Sequence, residues 1–258
     1  MNSLNSAKQV GIDFLTAVQF LTRIPLPALQ YEPDSLTRAV KFFPVVGLFI
    51  GAAAALLHLI LAPHLPRLIA ALLVVIFLVL LTGCFHEDGL ADAADAFGGG
   101  WNREQVLIIL KDSRIGSYGG AALTLSLIAR VLLISVLPLT EVAPSLLAAH
   151  VLCRWTTLPL SYYLAPARTE QEAAISQGVR IAKLTTRGTL IVGTVFSFIT
   201  AALLWRAHAI STIAGALLIS LLSALYYRHR IGGVTGDCFG ATNQLTEIFV
   251  YLAGVWIA

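Results

Sequence analysis

The chain is poor in charge. Asp, Glu, Lys and Arg together make up only 12% of its 258 residues, about half of the roughly 25% usual in a soluble domain. Hydrophobic residues make up 57% and the mean hydropathy is +0.82. Such a composition leaves too little solvating surface for a water-soluble enzyme and reads as a polytopic membrane protein. Cysteine is scarce as well. Cys84, Cys153 and Cys238 lie far apart with no CxxC or Cys/His spacing, which points to neither a zinc site nor a disulfide framework. No basic n-region followed by a short apolar core and a small-residue cleavage site opens the sequence, so the first membrane segment is expected to act as the insertion signal. There is no P-loop, no kinase signature and no Gly-x-Ser-x-Gly elbow. The net charge of +3 arises from basic residues in short loops between apolar stretches and does not indicate a nucleic-acid partner.

What is present is a set of apolar stretches near 42–62, 68–85, 119–137, 145–164, 189–205, 209–227 and 241–258. A spanning helix needs about 20 residues, so the expected fold is all-α, with about seven transmembrane helices in a single domain. Residues 7–22 form an eighth apolar candidate, interrupted by Gln9, Asp13 and Gln19 and closed by Pro25 and Pro27. This segment reads as an amphipathic helix at the membrane interface. Lys8, Arg23, Arg38, Lys41, Arg103, Lys111, Arg114, Arg168, Arg180, Lys183, Arg187, Arg228 and Arg230 fall on one side of this arrangement. Only Arg67 and Arg206 fall on the other, and Arg130 and Arg154 lie within spans. The asymmetry places the first group in the cytoplasm, in a cell inner membrane, by the positive-inside rule.

Acidic residues are fewer still, 14 in all, and four of them sit in residues 86–95, His-Glu-Asp-Gly-Leu-Ala-Asp-Ala-Ala-Asp. Asp88, Asp92 and Asp95 are spaced i, i+4 and i+7, so a helix presents all three on one face. No Lys or Arg occurs between Arg67 and Arg103 to interleave with them, which argues against a merely solvated acidic face. Hard oxygen ligands in this pattern suit Mg²⁺, Mn²⁺ or Ca²⁺ better than Zn²⁺. Gly98, Gly99 and Gly100 are expected to end that helix, and Asn102 to cap a short one from Arg103 to Leu110.

The next segment, Lys111-Asp112-Ser113-Arg114-Ile115-Gly116-Ser117-Tyr118-Gly119-Gly120, supplies the charge, donors and steric room that a phosphate-bearing ligand requires. A third polar segment, from Arg228 to Gly240, contains Asp237 and precedes Glu247 inside the last apolar stretch. Ionisable residues at membrane depth are read as functional by default. That rule makes Asp237, Glu247 and Arg154 candidate ligand-binding residues. Arg130 and Arg154 suit either neutralising buried carboxylates or holding phosphate. His86 borders the acidic cluster as a supporting residue. Metal-bound carboxylates beside basic residues are equipment for breaking a phosphoanhydride, with Asp92, Asp112, Lys111 and Arg114 as the candidate catalytic groups.

The chain resembles the cobalamin synthases, the adenosylcobinamide-GDP ribazoletransferases of the late corrinoid pathway. The resemblance runs end to end, through Leu21-Thr22-Arg23-Ile24-Pro25-Leu26-Pro27, Phe43-Pro44-Val45-Val46-Gly47, His86-Glu87-Asp88-Gly89-Leu90-Ala91-Asp92, Lys111-Asp112-Ser113-Arg114-Ile115-Gly116 and Gly232-Gly233-Val234-Thr235-Gly236-Asp237. Glu87 departs from it, standing where an apolar residue is usual. The resemblance implies that adenosylcobinamide-GDP and α-ribazole, or its 5′-phosphate, give adenosylcobalamin, or its 5′-phosphate, with release of GMP. It implies Mg²⁺ held by Asp88, Asp92 and Asp95, with Asp112 and Asp237 as further candidates, and a diphosphate held by Lys111 and Arg114. The partners are then the two substrates and the lipid bilayer, with a homo-oligomer compatible.

Two other classes share part of the pattern. Membrane enzymes that transfer a phospho-alcohol from a CDP-linked lipid also carry Asp-Gly and spaced aspartates, but their downstream Gly-x-x-x-Asp is not reproduced here. Cation transporters place carboxylates near mid-span, whereas this cluster follows a span and borders a glycine-rich loop.

Overall fold

A computed structural model of the chain describes residues 2–26, 35–168, 185–205 and 209–256, and the side chains from residue 8 onward. Pro27, Arg180, Lys183, Arg206 and the end of the expected last span at 257–258 lie outside the described residues. The described chain is helical: α1 (Asn2–Leu21), α2 (Ser35–Ala39), a 3-10 turn (Val40–Phe42), α3 (Phe43–Leu61), α4 (Arg67–Thr82), α5 (Phe85–Gly99), α6 (Arg103–Ile109), α7 (Ser117–Val136), α8 (Leu139–Trp155), α9 (Thr157–Tyr163), α10 (Arg187–Trp205), α11 (Ala209–Ile231) and α12 (Gly236–Trp256). Among the described residues the one extended pairing is a parallel bridge between Pro166 and Val234.

Among the described residues four stretches are long and apolar enough to cross a membrane, namely Ser35–Leu61, Ser117–Val136, Arg187–Trp205 and Ala209–Ile231; α4 and α5 together make a fifth if the bent pair counts as one span. The expectation of seven exceeds this count for two reasons visible in the chain. Helix α8 is 17 residues long, and α12 carries Asp237, Asn243, Gln244 and Glu247 among its apolar residues. The outward faces of the long helices hold Phe49, Leu59, Leu125, Leu203 and Leu221, all more than half exposed, as expected of surfaces solvated by lipid tails.

Helix α8 is the hub, packing on α3, α10 and α12. Gly47 and Gly51 make the α3 contact close: a Cβ on either would run into the α8 backbone at His150 or Leu146, the small-residue packing that membrane helices favour. The N-terminal helix is tied to the bundle by buried Asp13, which accepts from Arg38 Nε at 3.1 Å and Lys41 Nζ at 2.9 Å.

The element that matters most for the site begins at a turn. Gly83 (φ +68°) and Cys84 (φ +61°) both adopt the left-handed conformation, which ends α4 and swings α5 away by 88°. The Arg23 backbone N–H donates to the Leu81 carbonyl at 2.7 Å, satisfying one of the acceptors left open at the end of α4. Helix α5 therefore leaves the axis of α4. Glu87 and Asp88 lie in its first turn, where the helix dipole favours negative charge.

Candidate active site

All three aspartates of the i, i+4, i+7 set lie on α5, as their spacing predicts, and the structure differentiates them. Asp88 is exposed, whereas Asp92 and Asp95 are half-buried. Asp95 has local partners: its carboxylate accepts the backbone N–H of Gly116 at 2.6 Å and of Gly119 at 2.8 Å. These are orphan donors at the start of α7, so Asp95 caps that helix from outside and fixes the end of the basic loop. A Cβ on Gly116 or Gly119 would collide with the Asp95 carboxylate, which is why a glycine-rich start to α7 accompanies the third aspartate.

The last helix brings a fourth carboxylate. Helices α5 and α12 cross at Gly89 and Gly240; a Cβ on Gly89 would stand 3.1 Å from the Gly240 Cα and 3.2 Å from the Asp237 Cα. This crossing sets Asp237, in the first turn of α12, against the face of α5 that carries Asp88 and Asp92. The consequence is electrostatic. Partial burial, joined by the neighbouring charges of Asp88, Asp237 and Asp95, pushes the Asp92 carboxyl up to about 6. An all-oxygen, carboxylate-rich face is the donor chemistry of a hard divalent cation, although among the described residues Asp88, Asp92 and Asp237 do not form a group with donor atoms within 4.8 Å of one another.

The basic loop lies at the other side of Asp95. Asp112 binds Arg114 in bidentate fashion, with Arg114 Nε to Oδ1 at 2.9 Å and a terminal guanidinium nitrogen to Oδ2 at 2.6 Å, and accepts the Arg114 backbone N–H at 3.1 Å. The hydrogen-bonded Arg114 holds the Asp112 carboxyl down at about 2. Asp112 is thereby an orienting group for an exposed guanidinium, and Lys111 is exposed beside it. Asn102 accepts from Gln105 N–H at 3.0 Å and caps α6 as expected. Arg168, on the segment after α9, donates to the Leu110 carbonyl at 3.2 Å. The sequence marks Arg168 only as a loop cation, yet its charge acts on Asp237. The bridge between Pro166 and Val234 holds it there: Ala167 N–H donates to Val234 O at 3.0 Å and Val234 N–H to Ala165 O at 2.9 Å.

Behind the carboxylates is a cavity of about 300 Å³. Its apolar lining comes from Phe20, Phe43, Phe85 and Phe239, and its polar lining from His86, Asp88, Asp237, Arg154 and Thr157. Phe20 stacks on Phe43 (centroids 5.5 Å apart, 11° between planes) and meets Phe85 edge-on at 5.1 Å. These aromatics lack a sequence signal, because a phenylalanine in an apolar segment looks the same whether it faces lipid, core or ligand.

Glu247 is placed elsewhere. It lies in a buried network with Arg130, which reaches Glu87 Oε1 at 2.8 Å and Glu247 Oε1 at 3.3 Å. Tyr251 donates to Glu247 at 3.2 Å, and Ser126 reaches Gln244 at 3.1 Å. Glu247 does not line the cavity. Arg130 thus neutralises buried carboxylates, the structural one of the two roles open to it from sequence, and Glu87 is its partner rather than part of the aspartate face. His150, Cys153 and Glu247 have donor atoms within 4.8 Å of one another. A guanidinium nitrogen of Arg154 already stands 2.6 Å from His150 Nδ1 and 2.9 Å from Cys153 Sγ, where a metal would have to bind.

Comparison with known proteins yields relatives along nearly the whole chain. The profile of a family described as cobalamin-5-phosphate synthase matches residues 13–255. The adenosylcobinamide-GDP ribazoletransferase of Polaromonas sp. is 36% identical over 279 residues, spanning 96% of this chain and 98% of the relative. Proteins of the same name from Vibrio cholerae and Shewanella amazonensis are 37% and 39% identical, each over 93% of this chain and 91% and 93% of their own. No solved structure matches.

Proposed function

Because the chain belongs to the cobalamin-5-phosphate synthase family, we propose that it transfers the cobinamide phosphate of adenosylcobinamide-GDP to α-ribazole or its 5′-phosphate, releasing GMP. The observation that supports this reading best is the crossing of Gly89 and Gly240, which joins Asp237 to the Asp88–Asp92 face beside a basic loop. Mg²⁺ would be held by Asp88, Asp92 and Asp237, and when bound it neutralises phosphate oxygens. Asp95 acts differently, anchoring the loop that carries Lys111 and Arg114. Those two cations bind the diphosphate, and Asp112 orients the Arg114 fork for it. The ribazole hydroxyl oxygen bonds to the phosphorus next to cobinamide, the bridging P–O bond breaks, and the electron pair leaves on GMP. A carboxylate of the aspartate face accepts the hydroxyl proton. The cation asymmetry of the loops supports a position for this face at the cytoplasmic surface of the inner membrane.

The test uses the purified full chain in detergent or liposomes. Incubation with adenosylcobinamide-GDP, ribazole phosphate and Mg²⁺ should release GMP in step with corrinoid product, EDTA should stop it, and a CDP-linked lipid should yield no CMP. Asp92→Asn should lose transfer while still inserting in membranes. Turnover at the wild-type rate by that variant, or CMP release in place of GMP, overturns the reading.

A further inference from the structure

Arg130 and Arg154 are both almost wholly buried, at 1% and 2% exposure, but their surroundings differ. Arg130 has two carboxylate partners, Glu87 and Glu247. Arg154 has none among the described residues. One guanidinium nitrogen rests on His150 and Cys153, and Nε, like that of Arg130, has no hydrogen-bond partner. A buried cation without an ion-pair partner is costly, which favours an anion beside it. Arg154 lines the cavity that Phe20, Phe85 and Phe239 also line. Its stem is fixed from behind by Gly47, where a Cβ would stand 3.2 Å from Arg154 Cδ.

The cavity therefore offers an aromatic wall and an arginine that makes no ion pair among the described residues, with Asp88 and Asp237 at its edge. Its volume of about 300 Å³ sits at the small end of ligand pockets, which run from roughly 300 to 1,000 Å³. A nucleoside monophosphate has that size and that distribution of character; a corrinoid with its nucleotide does not. We propose that this cavity is the acceptor subsite, where the aromatic residues take the base of the ribazole and Arg154 binds its 5′-phosphate. The proposal rests on the transferase reading above and adds the residue that selects a phosphorylated acceptor. Arg154 is then a specificity determinant distinct from Lys111 and Arg114, which serve the donor.

The test compares α-ribazole with α-ribazole 5′-phosphate as acceptors for the full-length wild type, Arg154→Gln and Arg154→Lys. Wild type should prefer the phosphorylated acceptor in kcat/KM. In Arg154→Gln the preference should collapse at least tenfold, through a higher KM for the phosphorylated acceptor, while the KM for adenosylcobinamide-GDP is unchanged. Arg154→Lys should lie between the two. An equal loss with both acceptors, or a change confined to the donor KM, overturns the assignment. If the Gln variant does not fold, calorimetry on wild type without donor decides: ribazole phosphate should bind at least tenfold more tightly than ribazole, and equal affinities overturn it. A wild type that releases GMP with neither acceptor fails the transferase reading itself, a result separate from any of these.

Discussion

Gly89 and Gly240 stand back to back where α5 crosses α12, each so close that a Cβ on one would fall within about 3.1 Å of the other's Cα. Gly89→Ala or Gly240→Ala must push the helices apart by a few tenths of an ångström, because the opposing atoms are backbone. Asp237 then retreats from Asp88 and Asp92. A displacement of about 1 Å at a reacting centre can cost on the order of 100-fold in rate, so a shift of a few tenths of an ångström should cost these variants roughly two- to sixfold in GMP release. Circular dichroism and membrane insertion should stay near wild type. Full activity in both alanine variants would show that the crossing does not position the site.

Asp92 gives a pH signature. Its carboxyl is raised to about 6 by partial burial and by its acidic neighbours, above the ordinary 3.8. The folded protein therefore holds a proton that the unfolded chain has released between those two values. The contribution of this group to stability is present below about 3.8 and is lost as pH rises through 6. The metal-free protein should melt at a higher temperature at pH 5 than at pH 7 as far as this group is concerned, and Asp92→Asn should flatten that difference. Mg²⁺ binding should weaken as pH falls through 6 and should release protons there, measurable by calorimetry in buffers of different ionisation heat.

Asp95 separates capping from metal binding. Asp95→Ala leaves the Gly116 and Gly119 N–H groups without their acceptor, at a cost of about 0.5–2 kcal/mol. Asp95→Asn retains a carbonyl oxygen and should recover most of that stability in thermal unfolding. If activity also recovers in Asp95→Asn while Asp92→Asn stays inactive, Asp95 acts through the loop. Equal inactivity of the two Asn variants at wild-type stability would instead place Asp95 on the cation.

The buried ion cluster makes a stability prediction. Arg130→Met leaves Glu87 and Glu247 facing each other without a cation, which should destabilise by about 3–5 kcal/mol. Replacing all three, as Arg130→Met with Glu87→Gln and Glu247→Gln, should restore much of the loss, and detergent melting curves would show it. A triple variant no more stable than the single one would mean that packing around Arg130, rather than its charge, is what matters.

The residues around the site differ in how far they can be read from the chain. The aspartate stripe, the Asn102 cap and the end of α5 at the glycines follow from local periodicity and local hydrogen bonds, and they are found where the spacing puts them. Asp95 shows the limit of the same reasoning, since i+7 spacing gives its face but not the α7 amides that face meets. Arg130 and Arg154 are indistinguishable in the sequence as membrane-depth cations. Only the neighbours each meets, two carboxylates for one and a cavity for the other, tell them apart.

The amino-acid order alone determined the helical membrane class, the segregation of cations to one set of loops and a carboxylate-rich face on one short helix, because these depend on composition and on the 3.6-residue repeat. The tertiary structure decided that Asp237 joins that face, that Glu247 does not, and that Phe20, Phe85 and Arg154 enclose one space. Those outcomes depend on helix crossings between segments as much as 150 residues apart, and short-range periodicity carries no information about which glycine will meet which.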